Sequence, residues 1–214
     1  MALFPCAAES PRLRYELVHP ESFDPYEMYE HARRGAPDIE EITTWMTWDP
    51  HVHPKETANF VAFVGEQFDD DEGVTFAIYP RDGEDGAGEF AGGCGLSVDW
   101  DRRRAELGVW FRKPFWGHGY SGERARTLAA LAFDVLDLEV VCVTHDPDNQ
   151  KSSRAIEKYV ESLGGRREGR VRNDVVIGGE PRDGVRYSVT SEEWQETTGG
   201  EYDADFEWQE RRGR

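Results

Sequence analysis

Two kinds of residue stand out for chemistry. The first is the run Trp116-Gly117-His118-Gly119-Tyr120-Ser121-Gly122, which falls between an apolar strand pattern and a helical one. Glycines at such a corner let backbone approach an anion without side-chain obstruction. The free N–H groups of the helix that follows point at that anion, and the helix dipole adds attraction. The run predicts a site for phosphate or pyrophosphate; a tight turn needing glycine for geometry alone is the rival. It also fits G-x-G-x-x-G, but a dinucleotide fingerprint follows its strand directly. Here Arg112 to Trp116, with Pro114, intervenes, and the run lies mid-chain. The second kind is histidine. His51-Val52-His53 with Asp49 nearby is too sparse for a metal site, and none is expected. A G-x-S-x-G elbow is missing, which argues against Ser-His-Asp hydrolysis.

The elements around the turn follow from pattern. Leu13 to Val18 reads as a strand and Pro25 to Arg34 as a helix. Glu41 to Pro54, rich in Trp, His and Pro, reads as a loop or short broken helix. Lys55 to Phe68 has helical spacing. Val74 to Tyr79, Phe90 to Val98 and Ala105 to Phe111 read as strands of an antiparallel meander, turned by Asp82 to Gly88 and Asp99 to Arg103. Ser121 to Leu136 carries Ala125, Leu128, Ala129, Ala132, Val135 and Leu136 on one face, as a packed helix does. A short β-branched strand, Glu139 to Thr144, precedes a helix over Asn149 to Leu163 that Gly164-Gly165 stops. Val171 to Ile177 and Val185 to Thr190 predict a closing hairpin. One domain over 1–195 is expected, with 196–214 a loose, acidic, polar tail.

Charge sets the partners. The 214 residues include 43 acidic against 25 basic, a net charge of −18. Such a surface repels nucleic acid and anionic membranes, which need clustered Lys and Arg. It also repels itself at low salt, which concentrated salt screens, so a salt-rich cytoplasm and a halophilic source are expected. Cys6, Cys94 and Cys142 form no C-x-x-C pair, so a disulfide framework is not expected. No signal peptide and no apolar run of about 20 residues is legible, so a cytoplasmic location is expected. The sequence leaves monomer and homodimer both open.

Two stretches carry a family resemblance. Ala105-Glu106-Leu107-Gly108-Val109-Trp110-Phe111 followed by Pro114-Phe115-Trp116-Gly117-His118-Gly119-Tyr120 resembles the central segment of the GNAT superfamily of N-acetyltransferases. It is most similar to the branch that contains the ribosomal-protein N-terminal acetyltransferases. Trp116 stands at the Q/R position of the family's Q/R-x-x-G-x-G/A loop, Gly119 at its fourth position, and Ser121 replaces the last Gly or Ala. Asn149 to Lys158 resembles the branch's N-x-x-S-x-x-x-x-E-K segment, with an altered ending at Val160 to Gly165. Trp48-Asp49-Pro50 and Arg182-Asp183 add to the likeness, which covers about 12–195.

The resemblance implies a mixed α/β (α+β) fold: a mostly antiparallel, twisted sheet, helices on both faces, and splayed central strands. It implies acetyl-CoA as co-substrate and an amine acceptor, on a protein N-terminus or a small molecule. The cofactor's arm would lie along Val109, Trp110, Phe111 and Arg112. Its diphosphate would sit at Trp116, Gly117, His118, Gly119, Tyr120, Ser121 and Gly122, with Asn149 and Ser152 facing the pantetheine and thioester. Glu106 is the expected base, acting directly or through water, and also meets the substrate. Ser152 is the expected proton donor to the thiolate, with Tyr159 as the alternative. Trp45 and Trp48 are expected to line the acceptor pocket, and Arg112, Lys113 and Lys151 to meet phosphates. A catalytically silent acyl-CoA-binding module and, more remotely, a nucleotide-dependent oxidoreductase are the competing readings.

Overall fold

The computed structural model describes residues 2–208. Nine strands form one sheet: β1 (Ala7–Glu9), β2 (Leu13–Leu17), β3 (Gly73–Pro80), β4 (Gly92–Asp99), β5 (Arg104–Phe111), β6 (Val140–His145), β7 (Arg166–Ile177), β8 (Glu180–Thr190) and β9 (Asp205–Glu207). Their order is β7-β8-β6-β5-β4-β3-β2-β1-β9. Every neighbouring pair is antiparallel except β5 with β6. Helices α1 (Pro25–Ala32), α2 (Ile39–Thr43) and α3 (Pro54–Asp69) come before β3; α4 (Tyr120–Ala130), α5 (Gln150–Ser162) and α6 (Ser191–Thr198) come after β5.

Alternation along β5 divides the layers. Ala105, Leu107 and Phe111 enter the main core with Leu128 and Leu131 of the α4 region, Ile156 and Val160 of α5, and Trp194 of α6. Trp110 enters a second core with Met28 of α1 and Val61 and Val64 of α3. Successive strand side chains point to opposite faces, so α1–α3 cover one face and α4–α6 the other. This is the mixed, mostly antiparallel fold that the resemblance implies.

Several boundaries differ from the sequence reading. The Glu41–Pro54 stretch holds the end of α2 and the first residue of α3, with irregular chain between them. The helix begun at Tyr120 continues as a π turn over Leu131–Val135. There Asp134 accepts from the Trp194 indole at 3.2 Å. β7 begins at Arg166, five residues before the apolar Val171, because its early residues are solvent-facing. The stretch after 195 is not simply loose chain. α6 runs to Thr198 and Asp205–Glu207 adds an edge strand to β1. The remainder of that stretch, 209–214, lies outside the described residues.

Candidate active site

The parallel pair defines the opening. β5 and β6 pair at Arg104↔Val140, Ala105↔Val141 and Glu106↔Cys142, and the ladder stops there. Beyond it, Gly108 to Phe111 pair only with β4, and Val143 to His145 only with β8. The facing edges therefore carry backbone N–H and C=O groups free for an extended ligand. Glu106, solvent-exposed, stands at the closed end of this opening.

At the open end lies the glycine turn. Gly117 and Gly119 hold left-handed φ of 84° and 81°, which side chains adopt at a cost. Gly119 is the N-cap of α4 and supplies no side-chain cap. The Gly122 and Glu123 amides donate to the Gly119 carbonyl at 3.1 and 3.3 Å. The amides of Tyr120 and Ser121 precede any intrahelical acceptor. A Cβ built at Gly117 would meet nothing within 4 Å, so the approach is clear. Orphan donors, a dipole end and open space together fit a diphosphate.

The glycine turn is held from the connection between β1 and β2, which sequence reading missed. The Arg12 guanidinium donates to the His118 carbonyl at 2.9 Å and to Glu123 at 2.7 Å. Glu123 also accepts from the Ser10 hydroxyl at 2.7 Å and the Arg12 amide at 2.8 Å. Arg12 lies over the Tyr120 ring at 5.1 Å, and His118 stacks on that ring at 5.4 Å. The Tyr120 hydroxyl donates to Glu84 at 2.8 Å. Burial and the Glu84 carboxylate push its pKa up to about 12, so it stays protonated and keeps that bond at neutral pH. Trp116 closes the turn by donating its indole N–H to the Phe111 carbonyl at 2.9 Å. No short-range pattern joins Arg12 to a turn more than a hundred residues away.

The basic residues near the turn are engaged by carboxylates and a carbonyl. Arg112 turns from the glycine run, donating to the Phe90 carbonyl at 2.7 Å and to Glu89 at 3.3 Å. Lys113 donates to Asp38 at 3.0 Å and Glu41 at 2.7 Å; Lys151 donates to the other Glu41 oxygen at 2.7 Å. Glu41 of α2 thus links the end of β5 to the start of α5 across the opening. The two lysine bonds hold its carboxyl low, at about 2. Lys151 also sits 4.6 Å from the Trp116 ring centroid.

On α5, Asn149 is the N-cap and its side-chain oxygen accepts from the Ser152 amide at 3.1 Å. That bond uses one lone pair of the side-chain oxygen in capping the helix. Ser152 is half-buried in the first turn. Tyr159 belongs to the main core at 5% exposure, and its hydroxyl has no partner among the described residues. Burial pushes its pKa up, against the nearby Arg124. Tyr159 packs in the main core beside the start of α4, where a Cβ at Gly122 would meet the Tyr159 Cβ at 3.5 Å. Arg124 itself is wholly buried, its guanidinium 5.8 Å from the Tyr159 ring centroid and without a hydrogen-bond partner among the described residues.

The α2 side of the opening, where the sequence reading put the acceptor, is aromatic. Trp48 packs edge-on against Trp110 at 5.6 Å, and Trp48, Trp110 and Trp116 all pack on Ala36, Ile39 and Ile42 around α2. Trp45 lies 5.7 Å from Arg182, whose guanidinium grips the buried carboxylate of Asp146 at 2.7 and 3.1 Å. Burial raises the Asp146 pKa, but Arg182 and the Asp148 amide outweigh it, and the net direction is down. His51 bonds the Thr57 hydroxyl at 2.7 Å, while His53 lies near Glu56. Among the described residues, no group of three or more His, Cys, Asp and Glu side chains could hold a metal ion.

A sheet opened between one parallel pair, with an anion-ready helix start at its mouth, defines an acyl-CoA-binding architecture. Residues 12–159 match the family model for the acetyltransferase (GNAT) domain, and the chain belongs to that family. It is 34% identical over 106 residues to the protein named "Putative ribosomal N-acetyltransferase YdaF" of Bacillus subtilis. That match covers 48% of this chain and only 56% of YdaF. Among solved structures, a GCN5-related N-acetyltransferase from Brucella melitensis superposes with a TM-score of 0.72 at 23% identity, over 88% of this chain and 80% of that one. Mycobacterium smegmatis RimJ, solved with CoA-disulfide, gives 0.72 at 18% identity, over 97% and 99%. At those identities the structures speak to the fold.

Proposed function

We propose that this chain moves an acetyl group from acetyl-CoA directly to a primary amine, on a protein N-terminus or a small molecule. The observation that carries this reading is the coincidence of three features on one line. The anion-ready turn lies at the mouth, free strand edges run along the opening, and the Glu106 carboxylate stands where the ladder closes. A silent binding module has no use for a solvent-exposed carboxylate at that end.

In this reading the amides of Gly117 to Gly122 hold the diphosphate and the free β5 edge orders the pantetheine. An amine must shed a proton before attack, because its ordinary pKa lies near ~8 for an α-amine and ~10 for lysine. Glu106 accepts that proton through one water. The amine nitrogen attacks the thioester carbonyl, and the backbone N–H near Val109 or Trp110 stabilises the oxygen's developing charge. The C–S bond then breaks, the Ser152 hydroxyl gives the departing sulfur its proton, and the second proton of the attacking nitrogen passes to the Ser152 oxygen, leaving a neutral amide and a restored hydroxyl. Trp45 and Trp48 line the acceptor's approach. No covalent enzyme intermediate is needed, so positioning supplies much of the rate.

The likeness to YdaF and RimJ supports placement in the ribosomal-protein acetyltransferase-like branch. The net charge of −18 supports a salt-rich cytoplasm. Among the described residues, no helix is long and apolar enough to cross a membrane. The test is release of CoA thiol from acetyl-CoA with a panel of amines in molar KCl. Glu106→Gln and Ser152→Ala should each lower kcat, Glu106→Gln by about a hundredfold or more, with CoA affinity kept. Unchanged turnover in both variants would contradict these roles.

A further inference from the structure

Buried charges in this chain are treated in two ways. Among the described residues, Asp146 and Arg124 are the buried members of the Asp, Glu, Lys and Arg set. Asp146 is answered by Arg182 at 2.7 and 3.1 Å. All three Arg124 guanidinium nitrogens are shut from solvent and lack a hydrogen-bond partner among the described residues. Its neighbours do not offset it. The Tyr159 ring of α5 lies 5.8 Å away, and the Cys94 thiol of β4 feels its charge. Burial pushes that thiol up to about 12 and raises the phenol, so both are neutral at neutral pH. The adjacent carboxylate, Glu123, is held by Ser10 and Arg12. A buried ion without a counter-charge destabilises a fold, and a guanidinium does not shed its proton to escape that cost.

The place of this cation points to a partner. Arg124 is the fifth residue of α4, one turn above the amides of Tyr120 and Ser121. Helical side chains slope back toward the N-terminus and cover the preceding turn. The Arg124 side chain therefore runs toward the glycine turn. Tyr159 gives an independent bearing. A Cβ at Gly122, in the first turn, would meet the Tyr159 Cβ at 3.5 Å, and the guanidinium lies over the ring of that same tyrosine. The cation thus sits behind the corner whose orphan N–H groups face outward. Protein and not water fills the space between, where a charge is felt farther than through solvent.

We infer that Arg124 is a binding residue for the cofactor's diphosphate that acts through its field and without contact, the anion seated at the start of α4 being the counter-charge that the free protein lacks. The helix start supplies hydrogen bonds and partial charge. Arg124 adds a full unit charge from behind. Water does not compete for that charge, because no guanidinium nitrogen reaches solvent. The stability lost by burying an unpaired cation is recovered when the anion binds. Arg124 therefore lowers the stability of the free protein and raises its affinity for the anion. An arginine that only filled the core would show no such opposition.

This inference rests on the reading of the turn as the diphosphate site for acetyl-CoA, and the experiment separates the two. Unfolding midpoint and CoA affinity by calorimetry are measured for wild type, Arg124→Met and Arg124→Lys in molar KCl. Methionine removes the charge and fills the space. Its midpoint should hold or rise, since apolar replacement of a buried ion is often neutral or stabilising. Its CoA affinity should fall about tenfold, the scale of one unit charge felt over about 10 Å at a protein-like dielectric. Lysine carries a proton that it can give up; buried and unpaired, its amine is neutral in the free protein. CoA binding to Arg124→Lys should therefore take up a proton that binding to wild type does not, read from heats in buffers of different ionisation enthalpy. Wild-type affinity in Arg124→Met, a midpoint that falls together with affinity, or equal proton uptake in wild type and Arg124→Lys overturns the inference alone. Should the methionine variant not fold, the proton uptake of the lysine variant decides. Failure of well-folded wild type to bind CoA overturns the diphosphate reading and this inference with it.

Discussion

The two ends of the opening are built by different means. At the mouth, Glu123 is 8% exposed in its side chain and accepts from Ser10 and from both the side chain and the amide of Arg12. Across the opening, Glu41 holds Lys113 and Lys151 through ion pairs whose members are 42%, 43% and 69% exposed. Shielded, multiply bonded carboxylates fix geometry; exposed pairs contribute little and are screened by salt. The comparison teaches that the glycine turn is preorganised, while the α2 link is a weak fastening over the opening. In molar salt the link loosens and the turn does not.

The largest expected effect follows from breaking the stronger side. Glu123→Gln leaves Arg12 without its carboxylate and should cost about 1.5–3 kcal/mol of stability, the range for hydrogen bonds to charged groups. CoA affinity should fall about tenfold as the His118 carbonyl loses its anchored partner. Denaturant unfolding and calorimetry check both. An unchanged affinity would mean that the turn holds its shape without Arg12.

A smaller effect is expected from Glu41→Gln. The midpoint should stay within error, and CoA association at low salt should quicken by less than about threefold, an advantage lost in molar KCl. The pH dependence has a definite sign. The folded Glu41 carboxyl titrates at about 2, below its ordinary 4.5. The link is therefore fully present above about pH 4.5 and is lost only as pH falls through about 2. Stopped-flow binding between pH 5 and 8 should show no step from this group. A step in that window that vanishes in Glu41→Gln would contradict the assignment.

What sequence reveals here tracks the range of the interactions. The turn, α4 and α5 were legible because glycine spacing, apolar periodicity and Gly164-Gly165 are local signals. The meander from Gly73 to Phe111 was legible for the same reason. Arg12 and Glu41 were not, because their partners lie 111 residues away at Glu123 and 110 at Lys151. Lys113 and Lys151 read as phosphate ligands because cations near an anion site look available until a remote carboxylate is placed beside them. β9 escaped because three residues in a polar tail acquire meaning only against β1.

The central claim is that the first amides of α4 bind the diphosphate of coenzyme A, and one substitution addresses it directly. Ser121→Asp places a carboxylate in the first turn of α4, where the helix dipole favours negative charge, so the unfolding midpoint should hold or rise. The same carboxylate occupies and repels the anion's place. Titration calorimetry in molar KCl should therefore show acetyl-CoA binding to wild type and a loss of about tenfold or more in Ser121→Asp. Equal affinity in the two well-folded proteins would contradict the account.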